Sequence, residues 1–138
     1  MAGTPALTEK SFPDVFQYVS VTLGADTVDT TALLPAYVMY CEVDTVVDAA
    51  FMSFTTVDGS NDATYTLQAV AQGTGPEGSG TAFTNSPTTG ATADSTVTFT
   101  ITETANIIPA GSRIALKVAG TSDVEGVNIT LRIRTRFA

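Results

Sequence analysis

The sequence has no histidine and no tryptophan, and it has a single cysteine, Cys41. Without histidine there is no Ser-His-Asp or Cys-His catalytic arrangement, no HExxH zinc helix and none of the usual His-bearing metal sites. With one cysteine the chain cannot form an internal disulfide. Cys41 lies in the apolar run AYVMYCEV, which predicts a buried, inert thiol. We therefore expect a protein that is not an enzyme and that holds no cofactor.

Positive charge is also scarce. Six Lys and Arg residues stand against 14 Asp and Glu residues, which gives a net charge of −8. Non-specific nucleic-acid affinity comes largely from basic side chains that neutralise phosphates, so this balance argues against a nucleic-acid partner. No stretch approaches the roughly 18 apolar residues of a membrane span, and MAGTPALTEK lacks the basic and apolar regions of a secretion signal. We expect a protein that is made in a cytosol and has no membrane partner.

Threonine and apolar residues are abundant instead. Among 138 residues, 43% are hydrophobic and 25 are threonine, and Thr and Val fit the pleated surface of a β-sheet. Apolar and polar residues alternate over several runs, which predicts half-buried strands. These runs are 15–23, 36–43, 50–57, 63–71, 96–102, 113–118 and 127–137.

About seven strands without a convincing amphipathic helix predict an all-β fold, an antiparallel β-sandwich. A jelly roll is among the arrangements that fit this pattern. Residues 1–14 contain Pro5 and Pro13 and show no periodicity, so we expect an extended N-terminal arm there. Residues 15–138 are then a single sandwich domain.

The connections carry further predictions. The loop DGSND joins the runs 50–57 and 63–71 and is typical of a hairpin, so we expect these two strands to pair. Residues 73–96 have five Gly, two Pro and ten Ser or Thr, with Phe83 as the one anchor and a short edge strand possible at 81–84. A loop of this length is normally functional or disordered. A helical turn ended by Pro35 is expected at 31–34.

Half of the basic residues occupy one strand near the end of the chain. Arg132, Arg134 and Arg136 alternate with apolar residues in NITLRIRTRF, so they should project together from the face opposite the core. Arg113 and Lys117 point outward in the preceding strand. If the two strands are neighbours, the five side chains form one basic stripe.

Three interpretations of the stripe stay open. It is a solvated outer face that also protects a sheet edge. It is a subunit contact with carboxylates of a like chain or another protein, and the candidate partners are Glu42, Asp44, Asp48 and Glu125. In the third interpretation the stripe binds an anionic ligand, either a polysaccharide or a nucleic acid. The net negative charge of the protein opposes this binding because it repels anions.

Other candidate sites are weak. Asp58, Asn61 and Asp62, or Asp26 and Asp29, could offer oxygen ligands to calcium, but neither set has the spacing of a known calcium loop. Asp and Asn are common in turns for their own reasons, which is the favoured explanation. The sequence names no pair of carboxylates for glycoside hydrolysis.

The whole pattern resembles small virion proteins of tailed bacteriophages. The features that carry the likeness are the irregular arm, the Thr/Ala/Gly/Val-rich β-body, the long Gly/Ser/Thr loop and the ending IIPAGSRIALKVAGTSDVEGVNITLRIR. The chain is most similar in style to capsid decoration or cement proteins, with tail and fibre modules second.

This resemblance implies a dimer or trimer that binds the capsid exterior between major capsid subunits after assembly in the bacterial cytoplasm. It also implies that the arm, with Leu7 and Phe12 as large apolar side chains, reaches across neighbouring subunits. The rival function is a tail or fibre module that binds a host surface carbohydrate. Such sites usually stack sugars on exposed aromatics, and here most of the four Tyr and seven Phe lie in strand patterns that bury them.

Overall fold

A computed structural model of the chain describes residues 16–24, 34–59 and 62–135. These ranges contain nine β-strands and no helix, and so no helix that could cross a membrane. The strands are β1 (Gln17–Thr22), β2 (Ala36–Tyr40), β3 (Thr45–Phe54), β4 (Thr64–Val70), β5 (Thr81–Ala82), β6 (Ser95–Phe99), β7 (Ile107–Ile108), β8 (Arg113–Ala119) and β9 (Asn128–Thr135).

The strands form two sheets that pack face to face. The first sheet has the order β1-β9-β3-β6, with β7 also paired to β3, and the second has the order β2-β8-β4-β5. Every pair of strands is antiparallel. The predicted all-β antiparallel sandwich is therefore confirmed.

The core lies between the sheets and follows from the alternation in the sequence. In β9 every second residue is buried, namely Ile129, Leu131 and Ile133, while the residues between them face outward. Leu67 of β4 and Leu116 of β8 are buried from the opposite sheet. Each such side chain contributes about 1.5–3 kcal/mol through its removal from water. Truncating Leu131 to alanine would cost about 2–5 kcal/mol because a cavity would remain.

The predicted hairpin between the runs 50–57 and 63–71 is wrong. These runs belong to β3 and β4, which lie in different sheets, so the DGSND segment carries the chain from one sheet to the other. Its first residue is fixed by burial, because Asp58 is 2% exposed and its Oδ2 accepts a hydrogen bond from Ala63 N. Turn-forming residues serve a hairpin and a crossing between sheets equally well, and the sequence of the loop does not distinguish them.

Residues 73–96 are folded against the body. A two-residue edge strand, β5, falls within the run 81–84 where a short strand was expected. Phe83 is fully buried, as its role as an anchor predicts, and Thr84 and Thr89 are buried with it.

Several predictions lie outside the described residues. They concern the arm at 1–14 with Leu7 and Phe12, most of the turn at 31–34, and Arg136 at the end of the last strand.

Candidate functional site

Arg132 and Arg134 project from the outer face of the first sheet, as the alternation of β9 predicts. Their neighbours on that face come from the strands on either side. Arg132 lies opposite Tyr18 of β1 and Ala49 of β3, and Arg134 lies opposite Val46 of β3. The third arginine of the sequence pattern, Arg136, is outside the described residues.

Arg134 is paired with a carboxylate of its own chain. The distance from Arg134 Nε to Asp48 Oδ2 is 2.9 Å, and the two side chains are 37% and 17% exposed. A β-bulge makes this contact possible, because the register of β3 against β9 shifts between Val47 and Ala49. The extra residue, Asp48, is thereby turned toward the outer face beside Arg134. Asp48 is one of the carboxylates predicted to meet the stripe across a subunit contact, and in the structure it pairs with Arg134 of its own chain.

Arg132 has no carboxylate partner in the described part of the chain, where Arg134 and Asp48 form the one ion pair. Its guanidinium carbon lies 4.9 Å from the centre of the Phe16 ring, within the range of a cation–π contact. Its Nε is buried without a hydrogen-bond partner. Because Nε is buried, the Nη groups are the donors through which this guanidinium would bind a carboxylate of a partner.

Exposed aromatic rings border this arginine. Tyr18 is 67% exposed and lies in the edge strand β1. Phe16 is 49% exposed and directly precedes that strand. The sequence expectation that most aromatics are buried missed them, although their positions alternate with Val19 and Val21 and so fall on the outer face. We call the outer surface formed by Phe16, Tyr18, Asp48, Arg132 and Arg134 the arginine face.

Beside the arginine face, the outer surface of β1 and β9 is polar and hydrogen-bonded. Ser20 Oγ donates to Asn128 Oδ1 over 2.9 Å, and Asn128 Nδ2 donates to Thr22 Oγ1 over 3.1 Å. Thr130 Oγ1 also donates to Asn128 Oδ1. These side chains bind one another across β1 and β9, so the surface beside the arginine face is a fixed, uncharged platform.

Arg113 and Lys117 do not belong to the arginine face, and the single basic stripe is wrong. Both lie in β8, which belongs to the second sheet, because the segment 120–127 carries the chain from one sheet to the other. Sequence neighbours need not be sheet neighbours, and in this sandwich the two final strands are separated by the core. The interface role predicted for these two residues depended on the shared stripe, so it stays a prediction only for a contact of the second sheet and not for the arginine face.

Arg113 already has partners in its own chain. Its Nη2 donates to Thr74 O over 2.8 Å and to Ala71 O over 3.0 Å, and its guanidinium carbon lies 4.2 Å from the centre of the Tyr37 ring. Tyr37 in turn donates from its hydroxyl to Thr74 O. Arg113 therefore holds the loop at 71–80 against the second sheet.

Other residues fasten the same loop. Gln68 Nε2 donates to Pro76 O and to Gly78 O, which leaves Gln68 only 3% exposed although its side chain lies on the outer side of β4. Glu77 Oε1 accepts a hydrogen bond from Val118 N, a backbone group of β8 beyond the end of β2. The loop thus covers the second sheet, and the first sheet keeps the more open outer face.

Two of the described acidic groups, Asp58 and Asp123, act as hydrogen-bond acceptors in turns. Within the described ranges no group of three or more Cys, Asp or Glu residues is placed to hold a metal ion. Asp58 accepts from Ala63 N and Asp123 Oδ1 accepts from Gly59 N, which is the turn-forming role that the sequence favours. Cys41 is buried as predicted, and this burial raises the pKa of its thiol, opposed by a hydrogen bond with Thr45.

An open pocket of about 430 Å³ lies at the border of the arginine face. It is lined by Val46, Asp48, Glu103, Asn106, Ile107 and Arg134. Its polar walls carry both signs of charge, which suits a protein side chain better than an apolar ligand. No protein-family model matches this sequence, and no curated protein matches it.

Proposed function

We propose that the protein is a structural component of a tailed-bacteriophage virion, a decoration or cement protein that binds the capsid exterior between major capsid subunits. The observation that carries this proposal is Arg132, a cation without a carboxylate partner among the described residues, placed beside exposed aromatic rings on the outer face of the first sheet. In a protein of net charge −8, a local positive surface of this kind favours the one orientation in which it faces an acidic surface of the partner.

The strand order supports the proposal. The sheet orders are β1-β9-β3-β6, with β7 added beside β3, and β2-β8-β4-β5, and these orders are compatible with the jelly roll that we propose. Jelly rolls are frequent in viral capsid proteins and in lectins. A fold alone does not assign a function, so the argument depends on the surface that the fold presents.

Cementing needs no catalysis. A capsid repeats the same contact many times, and a decoration protein that is itself a dimer or trimer engages several sites together. A specific contact needs only about 800 Å² from each partner, which the arginine face and an N-terminal arm could supply together. In this proposal the protein is assembled in the host cytoplasm and resides on the virion surface.

The test is binding to capsids that lack a decoration protein. Purified protein is mixed with such capsids, and the bound fraction is measured by sedimentation at 0.05 M and 0.5 M salt. We expect saturable binding with a fixed number of copies per capsid, and weaker binding at high salt because the charges are screened. Absence of binding at both salt concentrations would refute the proposal.

One observation favours the second function, recognition of a host carbohydrate. Tyr18, Tyr37 and Tyr40 are 67%, 40% and 52% exposed, so rings that could stack on sugars are available after all. The test is binding to purified host polysaccharides by the wild-type protein and by Tyr18→Ala. Saturable binding that the substitution removes would favour this function over capsid attachment.

A further inference from the structure

A sandwich of two open sheets has four edges, and three of them are protected against pairing with another chain. β5 has only two residues. β2 follows Pro35 and contains a bulge between Tyr37 and Met39. β6 follows Asp94, and just beyond its end Thr100 exchanges hydrogen bonds with Asn85. Short length, proline, bulges and edge charges are the usual means by which proteins prevent edge pairing.

The fourth edge, β1, has none of these features. Residues 16–24, FQYVSVTLG, contain no charged residue and no proline, and the register with β9 is regular throughout. Val19 and Val21 face the core, but they are only half-buried, and among the described residues no strand lies beyond β1. β1 is therefore a regular, neutral edge strand that can accept another strand.

The hydrogen-bond pattern shows which groups face the open side. Leu23 N donates to Val127 O over 2.8 Å, so this pair belongs to the hydrogen-bonded pairs of the β1–β9 ladder. Such pairs alternate along an antiparallel ladder, which places the backbone groups of Val21, Val19 and Gln17 toward β9. The backbone N–H and C=O groups of Thr22, Ser20 and Tyr18 consequently point away from the sheet.

We propose that β1 pairs with β1 of a second copy of this chain, in antiparallel orientation about a two-fold axis at Val19. A hydrogen-bonded pair must join two residues whose groups both face the open side. The register centred on Val19 meets this condition, since it joins Tyr18 to Ser20 and Phe16 to Thr22 of the other copy. It also pairs residues 16–22 with one another. A register centred on Ser20 would need Leu23 and Gly24, which lie in a bend after β1. One centred on Tyr18 leaves Val21 and Thr22 without partners among residues 16–24.

Charge favours a second copy as the occupant. The strand itself is neutral, so two copies of β1 can pair with no like charges in contact at the edge, whereas a charged partner strand would find no opposite charge there. The nearest cation, Arg132, lies one strand inward, opposite Tyr18. At about 4.8 Å per strand, the β9 strands of the two copies are about 14 Å apart, beyond the Debye length of roughly 8 Å at physiological salt.

The pairing has a consequence for the arginine face. The two first sheets become one continuous sheet, and the arginine faces of both copies lie on the same side of it. The inference specifies how the dimer included in the proposed function forms. It rests on that function only where it has both arginine faces bind the capsid together. The tests below use protein without capsids, so a monomer that also fails to cross-link would refute the pairing, while capsid attachment would still be judged by its own sedimentation test.

The direct test is site-specific cross-linking of the full chain. In the proposed register the two Val19 residues form a non-hydrogen-bonded pair with Cα atoms about 4.5 Å apart, which a disulfide can span. Val19→Cys should therefore give a covalent dimer under mild oxidation. Val21→Cys is the matched control, because its two copies are offset by about 13 Å along the strands and should stay uncoupled. The native Cys41 is 1% exposed and does not compete.

A second measurement is the mass in solution by size exclusion with light scattering. The wild type should have twice the 14.3 kDa mass of one chain. Ser20→Pro removes an outward N–H without removing a bond to β9 and should give the mass of one chain. Ser20→Ala, which loses only the hydroxyl bonds to Asn128 and Thr130, should keep the dimer.

Two results would overturn the pairing. One is a wild type with the mass of a single chain together with no cross-link at Val19→Cys. The other is cross-linking of Val21→Cys in preference to Val19→Cys, which would exclude the register. The cross-linking result does not depend on whether the proline variant folds.

Discussion

Arg134 and Asp48 form an ion pair within one chain, with 2.9 Å between Arg134 Nε and Asp48 Oδ2. The pair joins β9 to the bulge of β3, so it ties the strand that carries the arginines to the centre of the first sheet. Because Arg134 is occupied in this way, the cation of the arginine face that is free for a partner is Arg132.

The first prediction concerns the energy of this pair. We expect a coupling free energy of about 0.5–1 kcal/mol between Arg134→Ala and Asp48→Ala, because both side chains are partly exposed and water screens their attraction. Urea unfolding of the two single variants and the double variant gives this value. The control cycle pairs Asp48→Ala with Arg132→Ala and should show no coupling. An equal coupling free energy in both cycles would contradict the assignment of Asp48 as the specific partner of Arg134.

The second prediction concerns the loop at 71–80. A Cβ atom at Gly80 would lie 2.5 Å from Ala69 O and 2.8 Å from Gln68 Oε1, whereas one at Gly75 would meet nothing within 4 Å. We therefore expect Gly80→Ala to destabilise the fold by about 1–3 kcal/mol, as overpacking does, and Gly75→Ala to change it little. Thermal unfolding of the two variants measures the difference. Equal melting temperatures would show that the loop is not packed on Gln68.

The third prediction concerns alkaline pH. Burial raises the pKa of Tyr65 above its ordinary value of 10.0, Asp58, Asp123 and Asp62 raise it further, and the hydrogen bond with Ser122 opposes the shift. Above pH 10 the unfolded chain loses this proton while the folded chain keeps it, so the free energy of unfolding falls as pH rises toward the folded pKa.

Urea unfolding at pH 8 and at about pH 11 measures this loss. Tyr65→Phe should lose less stability between the two pH values than the wild type does, although it starts lower because it lacks the bond to Ser122. Tyr18→Phe, at a ring that is 67% exposed, is the control and should behave as the wild type. An unchanged pH dependence in Tyr65→Phe would contradict the prediction.

The fourth prediction concerns the N-terminal arm, which remains an inference from the sequence. Deleting residues 1–13 should leave the melting temperature of the sandwich nearly unchanged, because this segment has two prolines and no strand periodicity in its sequence. The same deletion should abolish capsid attachment if the arm reaches across subunits. Full capsid occupancy by the truncated protein would exclude the arm from the contact.

Much of the fold could be predicted from the sequence because alternation reports burial directly. Val97 and Phe99 of β6 and Ile129 and Leu131 of β9 face inward as their spacing predicts. The position of Phe83 as an anchor was predicted on the same ground, since a large apolar side chain in a polar loop is most stable when buried.

The arrangement of strands could not be predicted in this way. Periodicity says that β3 and β4 are strands, but not that the segment between them changes sheets, and the hairpin prediction failed there. Arg113 was assigned to the stripe for the same reason, since alternation fixes the face of a strand and not its sheet. The bulge at Asp48 and the packing of the 71–80 loop on Gln68 depend on tertiary contacts that a Gly- and Ser-rich composition does not reveal.

The central claim is that the arginine face contacts an acidic surface of the capsid through Arg132. The most direct measurement is the affinity of Arg132→Glu for capsids, with Lys117→Glu as the control, since it makes the same charge change on the second sheet. We expect Arg132→Glu to bind at least about tenfold more weakly, equivalent to about 1.4 kcal/mol, while Lys117→Glu binds as the wild type does. Equal affinities for the two variants would contradict the claim.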